Sequence, residues 1–272
     1  MRRIKAILEY EGTDFYGWQR QAGAPSIQEA VESALGRLFR KPVRVTAAGR
    51  TDAGVHALGQ VISFLTDSNI PLRGILRGGN SFLPETIRLV RVEDVPLSFN
   101  PRKDAILRWY RYRALNRSSS PALGRALLSH IPYKLDDRLL SEVCSLFSGV
   151  HDFAAFRSAD CTARRTRLNL ETFHFQRRDD LIIFDLRCRS FLQNMARILV
   201  GAAVEAARGK IPLSLLQEIL ATGQRDPRIP TASACGLVLM KVYYPAEIIE
   251  EIRGQNDIPG GEIQAPFDGS SA

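Results

Sequence analysis

The sequence predicts an α+β fold built from two tandem halves, each running strand, helix, strand, strand, helix, strand in the ferredoxin-like order. Three observations predict it. Strand-type alternation and helix-type spacing follow one another in that order through residues 1–100. The pattern breaks at Val95-Pro96-Leu97-Ser98-Phe99-Asn100-Pro101. A second run in the same order then fills residues 101–245, leaving 246–272 as a tail. Periodicity supports the two halves; the simplest assembly joins their sheets and leaves a cleft between them, where ligand sites often lie.

Arg2 to Tyr10 alternates, with Ile4, Ala6, Leu8 and Tyr10 on one face. A loop from Gly12 to Gln21 carries Phe15, Tyr16, Trp18 and Arg20, a mixture able to stack on bases and contact phosphate. The alternative is a loop whose aromatics fill the core, the preferred reading for Trp18. Ser26 with Glu29 three later is a capping box, and Ile27, Ala30, Val31, Ala34, Leu35 and Leu38 repeat at helical spacing. Strands over Arg44–Ala48 and Gln60–Leu65 flank a glycine-bounded loop. Leu72–Phe82 reads as a weaker helix interrupted by Gly74, Gly78 and Gly79, and Ile87–Glu93 as a strand. In the second half, Arg108–Leu115 puts Arg108, Tyr110, Tyr112 and Ala114 on one face and Trp109, Arg111 and Arg113 on the other. A helix from Asp136 ends at Gly149; Leu168–Gln176 and Leu181–Arg189 form a hairpin across Arg178-Asp179-Asp180. Helices over Phe191–Arg208 and Leu213–Thr222 and a strand over Leu237–Tyr243 complete the set.

The 272 residues suffice for one large or two ordinary cores, and 45% of them are hydrophobic, as in soluble globular proteins. No stretch approaches the ~20 apolar residues that span a bilayer, and the chain opens directly into a strand without a signal core, so a cytoplasmic protein is expected. Cys144, Cys161, Cys188 and Cys235 are scattered without a Cys-x-x-Cys pair, which predicts reduced, buried thiols and neither zinc site nor disulfide framework. The tail holds six acids against Arg253 alone. Removing those from the chain's 37 basic and 29 acidic residues leaves a body of net charge +13, rich in arginine, which favours a polyanionic partner. With Gly254, Pro259, Gly260, Gly261, Pro266 and Gly269, the tail is expected to begin as a short helix and end disordered.

Chemistry concentrates in Gly49-Arg50-Thr51-Asp52-Ala53-Gly54-Val55-His56, where a carboxylate, a guanidinium, an imidazole and two glycines share one loop. The glycines permit unusual backbone angles and close approach of a ligand to the main chain. Local chemistry alone fits equally a turn in which Asp52 caps its own backbone and Arg50 is solvated. Arg197, flanked by Met195, Ile198, Leu199 and Val200, needs an acidic partner or a phosphate if it is buried. The residues alone favour instead a wet helix face shared with Asn194, Gly201 and Arg208.

The string Gly49-Arg50-Thr51-Asp52-Ala53-Gly54-Val55-His56-Ala57 resembles the catalytic motif of the TruA family of tRNA pseudouridine synthases. Tyr16-Gly17-Trp18-Gln19-Arg20-Gln21 resembles that family's N-terminal signature, Arg108-Trp109-Tyr110-Arg111-Tyr112 its second active-site strand, and Phe191-Leu192-Gln193-Asn194-Met195-Ala196-Arg197-Ile198-Leu199-Val200-Gly201 its basic-residue helix. The matches keep the family's order over roughly residues 4 to 245.

The resemblance implies a mostly antiparallel joined sheet with a central basic cleft, and isomerisation of uridine to pseudouridine in the anticodon stem-loop of tRNA, at positions 38, 39 and 40, without a cofactor or metal. Asp52 would be the nucleophile, Arg197 its partner, keeping it ionised. Arg50 would fill the space vacated by the flipped base, and Tyr110 would stack on that base. A homodimer is implied by the resemblance alone. Tyr112 is read as supporting structure and His56 as a structural hydrogen-bonding residue. Two rivals explain less: an RNA-binding module leaves Asp52 and Arg197 idle, and a hydrolase with a carboxylate nucleophile lacks an evident paired acid.

Overall fold

The structure, a computed structural model, describes residues 1–245; the acidic tail, with its expected helical start and disordered end, lies outside the described residues. Ten strands form one open, mostly antiparallel sheet with five α-helices, an α+β fold as expected, with two strands more than the sequence shows. In chain order these are β1 (Arg2–Tyr10), α1 (Ile27–Phe39), β2 (Thr46–Ala47), β3 (His56–Thr66), α2 (Leu72–Phe82), β4 (Ile87–Val95), β5 (Leu107–Leu115), β6 (Ser129–His130), α3 (Asp137–Phe147), β7 (Gly149–Asp152), β8 (Arg167–Arg178), β9 (Leu181–Cys188), α4 (Met195–Ala207), α5 (Leu213–Thr222) and β10 (Leu237–Tyr243). The sheet runs β4-β1-β3-β10-β5-β9-β8-β7, with β2 also on β3 and β6 on β5. Thus β4-β1-β3-β2 and β10-β5-β9-β8 repeat one arrangement. They meet where β10 lies parallel to β3 through Val238 opposite His56 and Leu239 opposite Ala57. Gly59 makes that approach possible, because a Cβ there would stand 2.4 Å from the Met240 carbonyl oxygen.

Local rules account for most elements. The Ser26 hydroxyl accepts the Glu29 N–H at 3.3 Å at the start of α1, while the Glu29 carboxylate pairs with Arg20 at 3.0 Å instead of closing the capping box. In α2 the glycines are packing positions. Cβ atoms on Gly78 and Gly79 would come 2.6 Å from Leu38 Cδ1 and 2.5 Å from Leu89 Cδ1, so these residues let the helix lie close on α1 and β4. The β8–β9 hairpin turns through Asp179 and Asp180, Asp179 at φ 51°. Beneath it Phe147, Phe153, Phe156, Phe173 and Phe184 pack ring on ring, with Phe147 and Phe156 centroids 4.9 Å apart. Each buried phenyl contributes about 1.5–3 kcal/mol.

Three expectations need correction. The strand before the loop shrinks from Arg44–Ala48 to Thr46–Ala47, because the Val45 N–H donates to the Glu32 carboxylate of α1 at 3.1 Å rather than to a neighbouring strand. Helix α4 starts at Met195 and not Phe191, since Asn194 takes a left-handed backbone at φ 62° that ends helical geometry there. Two short strands, β6 and β7, were not anticipated. All four cysteines are free, but only Cys144 and Cys188 are buried; Cys161 and Cys235 are half-buried. Among the described residues, no helix is long and apolar enough to cross a membrane.

Candidate active site

The loop between β2 and β3 is held from all sides, which fixes where Asp52 points. The Trp18 N–H donates to the Thr51 carbonyl at 3.0 Å, the Gly54 N–H to the Phe15 carbonyl at 3.2 Å, and Gln60 Nε2 to the Gly49 carbonyl at 2.9 Å. Tyr10 Oη and Thr51 Oγ1 are hydrogen-bonded at 2.8 Å. Gly54, at φ 75°, needs its missing side chain. Gly17, at φ 86°, does too, because a Cβ would sit 2.7 Å from the Thr51 carbonyl oxygen. Gly49 does not have a positive φ, and a Cβ there would make only ordinary contact, so its expected conformational role is not met. Trp18 is buried, its ring 6.3 Å from that of Tyr10, while Tyr16 stands 62% exposed. The core reading of Trp18 therefore holds.

Asp52, Arg197 and Tyr110 come together from three distant parts of the chain. Arg197 Nη1 lies 3.9 Å from Asp52 Oδ2, an electrostatic contact too long for a hydrogen bond. The guanidinium is fastened elsewhere. Its Nε donates to the Ala232 carbonyl at 2.7 Å and its Nη1 to Asn194 Oδ1 at 3.0 Å. Asp52 retains 24% side-chain exposure, enough for a ligand to reach it. Burial raises its pKa above the usual carboxylate value; Arg197 and the Asn194 backbone N–H pull it down by less. Arg197 thus lowers the pKa as a cationic partner should, while desolvation is the larger of the two effects.

Tyr110 is 6% exposed and its ring meets Phe191 edge-on at 5.0 Å. Its hydroxyl makes no hydrogen bond among the described residues. Burial, with the negative charge of Asp52 added, raises its pKa and keeps it protonated. Arg50 is exposed two residues from Asp52, without a hydrogen bond or ion pair among the described residues. Tyr112 is buried, its pKa pushed up to about 12 by burial, as a supporting residue would be. His56 is buried too; its Nδ1 accepts the Gly12 N–H at 3.0 Å and burial lowers its pKa, which matches a neutral structural imidazole. Among the described residues no group of three His, Cys, Asp or Glu side chains could hold a metal ion.

Sequence reasoning missed two contributors. Asn194 uses its left-handed backbone to aim its N–H at Asp52 while its side chain holds Arg197. Arg108 is 7% exposed and bonds main-chain carbonyls beside the loop. The signal for Arg108 was its place on the inward face with Tyr110 and Tyr112. Nothing in the sequence signalled a left-handed asparagine. Chemically, the site offers an accessible carboxylate near a fixed cation, beside a buried aromatic ring with a free hydroxyl and an exposed arginine.

A family model described as tRNA pseudouridine synthase matches residues 6–102 and 143–245. Proteins named tRNA pseudouridine synthase A are similar over most of the chain. The one from Geobacter sulfurreducens is 41% identical over 245 residues, covering 90% of this chain and all of its own. That from Geotalea daltonii is 40% identical over 244 residues with the same coverage, and that from Methylobacterium sp. 40% over 246 residues, covering 90% of this chain and 98% of its own.

Proposed function

The chain belongs to the tRNA pseudouridine synthase family, an isomerase family, and on that premise we propose that it isomerises uridine in the anticodon stem-loop of tRNA, at positions 38, 39 and 40, using Asp52 as nucleophile. The convergence of Asp52, Arg197 and Tyr110 from three separate segments carries this reading. A uridine stacked in a stem has to be flipped out, at a cost of a few kcal/mol, and exposed Arg50 fills the gap it leaves. The extruded base stacks on Tyr110. Ionised Asp52 forms the covalent bond to the substrate as the C–N glycosidic bond breaks. The base rotates, C5 attacks the ribose carbon and displaces the Asp52 carboxylate, and the C5 proton is lost while N1 gains one, so atoms balance, Asp52 is regenerated and no cofactor is consumed. Arg197 keeps part of the carboxylate's negative charge favourable despite burial.

The protein works in the cytoplasm as a homodimer, with tRNA held by the arginine-rich body. Its two halves are units of residues 1–100 and 101–245, and the site lies at their junction. To test the reading, unmodified tRNA transcripts are incubated with the purified protein and pseudouridine is mapped by position. Product at 38, 39 and 40 supports it. Product elsewhere leaves the chemistry and removes the target, and no product on any transcript refutes the function. Light scattering at working concentration checks the dimer; a fully active monomer refutes it.

A further inference from the structure

Arg108 is a buried cation whose charge no carboxylate answers. Among the described residues it has no ion-pair partner, and all four of its hydrogen bonds go to main-chain carbonyls. Nη2 donates to Ala48 at 2.6 Å and to Arg102 at 3.0 Å, Nε to Ala48 at 3.3 Å, and Nη1 to Arg189. Such a group is costly to bury, and simple packing at this position would be served by an apolar side chain. The acceptors explain what it does instead. Ala48 immediately precedes Gly49-Arg50-Thr51-Asp52. Arg189 precedes Ser190 and Phe191, and the Phe191 ring packs edge-on against Tyr110. Tyr110 itself stands two residues along the same buried face of β5. One planar fork thus ties the root of the aspartate loop, the segment that props Tyr110, and the strand that carries Tyr110.

We propose that Arg108 is a positioning residue: its guanidinium sets the separation between the Asp52 carboxylate and the Tyr110 ring by gripping the carbonyls of Ala48 and Arg189. The inference rests on the functional reading above, since it concerns the geometry of that same site. Lysine cannot replace it, because an ammonium is a point donor on a flexible stem and cannot span three carbonyls in one plane. A misplacement of about 1 Å at a reacting centre can lower the rate on the order of 100-fold while leaving binding intact.

The test compares wild type, Arg108→Lys and Arg108→Met for folding, tRNA affinity and single-turnover isomerisation. Pairing a loss in the chemical step with unchanged affinity is a signature that lost stability alone does not give. The expected result is that Arg108→Lys folds, binds tRNA within about 3-fold of wild type, and isomerises ten to a hundred times more slowly, with Arg108→Met at least as slow. Wild-type single-turnover rates in the folded fraction of Arg108→Lys would overturn the proposal, as would recovery by lysine of an activity that methionine loses, which would make the charge the requirement. Failure of Arg108→Lys to fold would overturn it too, assigning Arg108 to the fold. An inactive wild type would instead refute the functional reading, so the two failures are distinguishable.

Discussion

Asp52 is a carboxyl that folding makes harder to ionise, and that has a definite consequence for pH. A group whose folded pKa lies above its unfolded value contributes stability below the unfolded value and loses it as pH rises through the folded one. Asp52→Asn is therefore expected to be more stable than wild type at neutral pH, with the difference vanishing as pH falls below the ordinary carboxylate range near ~4. Urea unfolding across that range checks it. A less stable asparagine variant at pH 7 would mean that Arg197 outweighs desolvation after all. On the proposed role of Asp52 as nucleophile, activity should run the opposite way, its acidic limb lying higher than an unperturbed aspartate would give, because only an ionised carboxylate can attack. At Tyr110, Phe retains the ring and loses the free hydroxyl, whereas Ala loses both. If stacking is the whole role, Tyr110→Phe stays active and Tyr110→Ala loses on the order of 1–3 kcal/mol of base binding. An inactive Phe variant that still binds RNA gives the hydroxyl a part in the chemistry.

At the scale of elements, the cation opposite Asp52 depends on how closely α4 packs on the segment before β10. Gly201 sits where a Cβ would come 2.1 Å from the Pro230 carbonyl oxygen, and two residues on, the Ala232 carbonyl accepts from Arg197 while its N–H donates to the Arg197 carbonyl at 3.1 Å. Backbone cannot yield as a side-chain tip can. Gly201→Ala is expected to cost roughly 1–3 kcal/mol of stability and to lower activity by displacing Arg197. Thermal unfolding and a rate measurement check this, and a variant with wild-type values in both would show that the segment moves freely. Elements with strong local signals were legible from sequence: α1 from its Ser26 cap and apolar spacing, and β8–β9 from alternation across a two-residue turn. The failures have local causes. Strand β2 lost residues to a side-chain acceptor on another element, α4 lost its first turn to one left-handed asparagine, and β6 is two residues whose pairing partners, Ala114 and Leu115, lie far back in the chain.

Over the whole molecule, the strand order repeats as β4-β1-β3-β2 and β10-β5-β9-β8, but the seam between the repeats was not legible in the sequence. A parallel contact of two residue pairs, made possible by the close approach at Gly59, leaves no periodic trace. Yet that seam brings β5 and α4 of the second half to the aspartate loop of the first. The candidate residues Asp52, Arg50, Tyr110 and Arg197 came from resemblance joined to chemistry. Arg108 stayed hidden because its partners are main-chain carbonyls brought near only by folding, and Asn194 because its part depends on a left-handed backbone that the sequence does not signal. The arginine-rich body gives a prediction at this scale. Affinity for tRNA should fall steeply between low and physiological salt, because each phosphate neutralised releases condensed counterion. Affinity flat over that range would refute electrostatic capture. The decisive comparison sets wild type beside Asp52→Asn on one unmodified tRNA transcript, measuring binding and pseudouridine formation together. The amide keeps the carboxylate's shape and cannot act as the nucleophile. The expected outcome is tRNA affinity within about 3-fold of wild type and no detectable pseudouridine at 38, 39 or 40. Continued product formation by Asp52→Asn would contradict the role given to this carboxylate and the mechanism built on it.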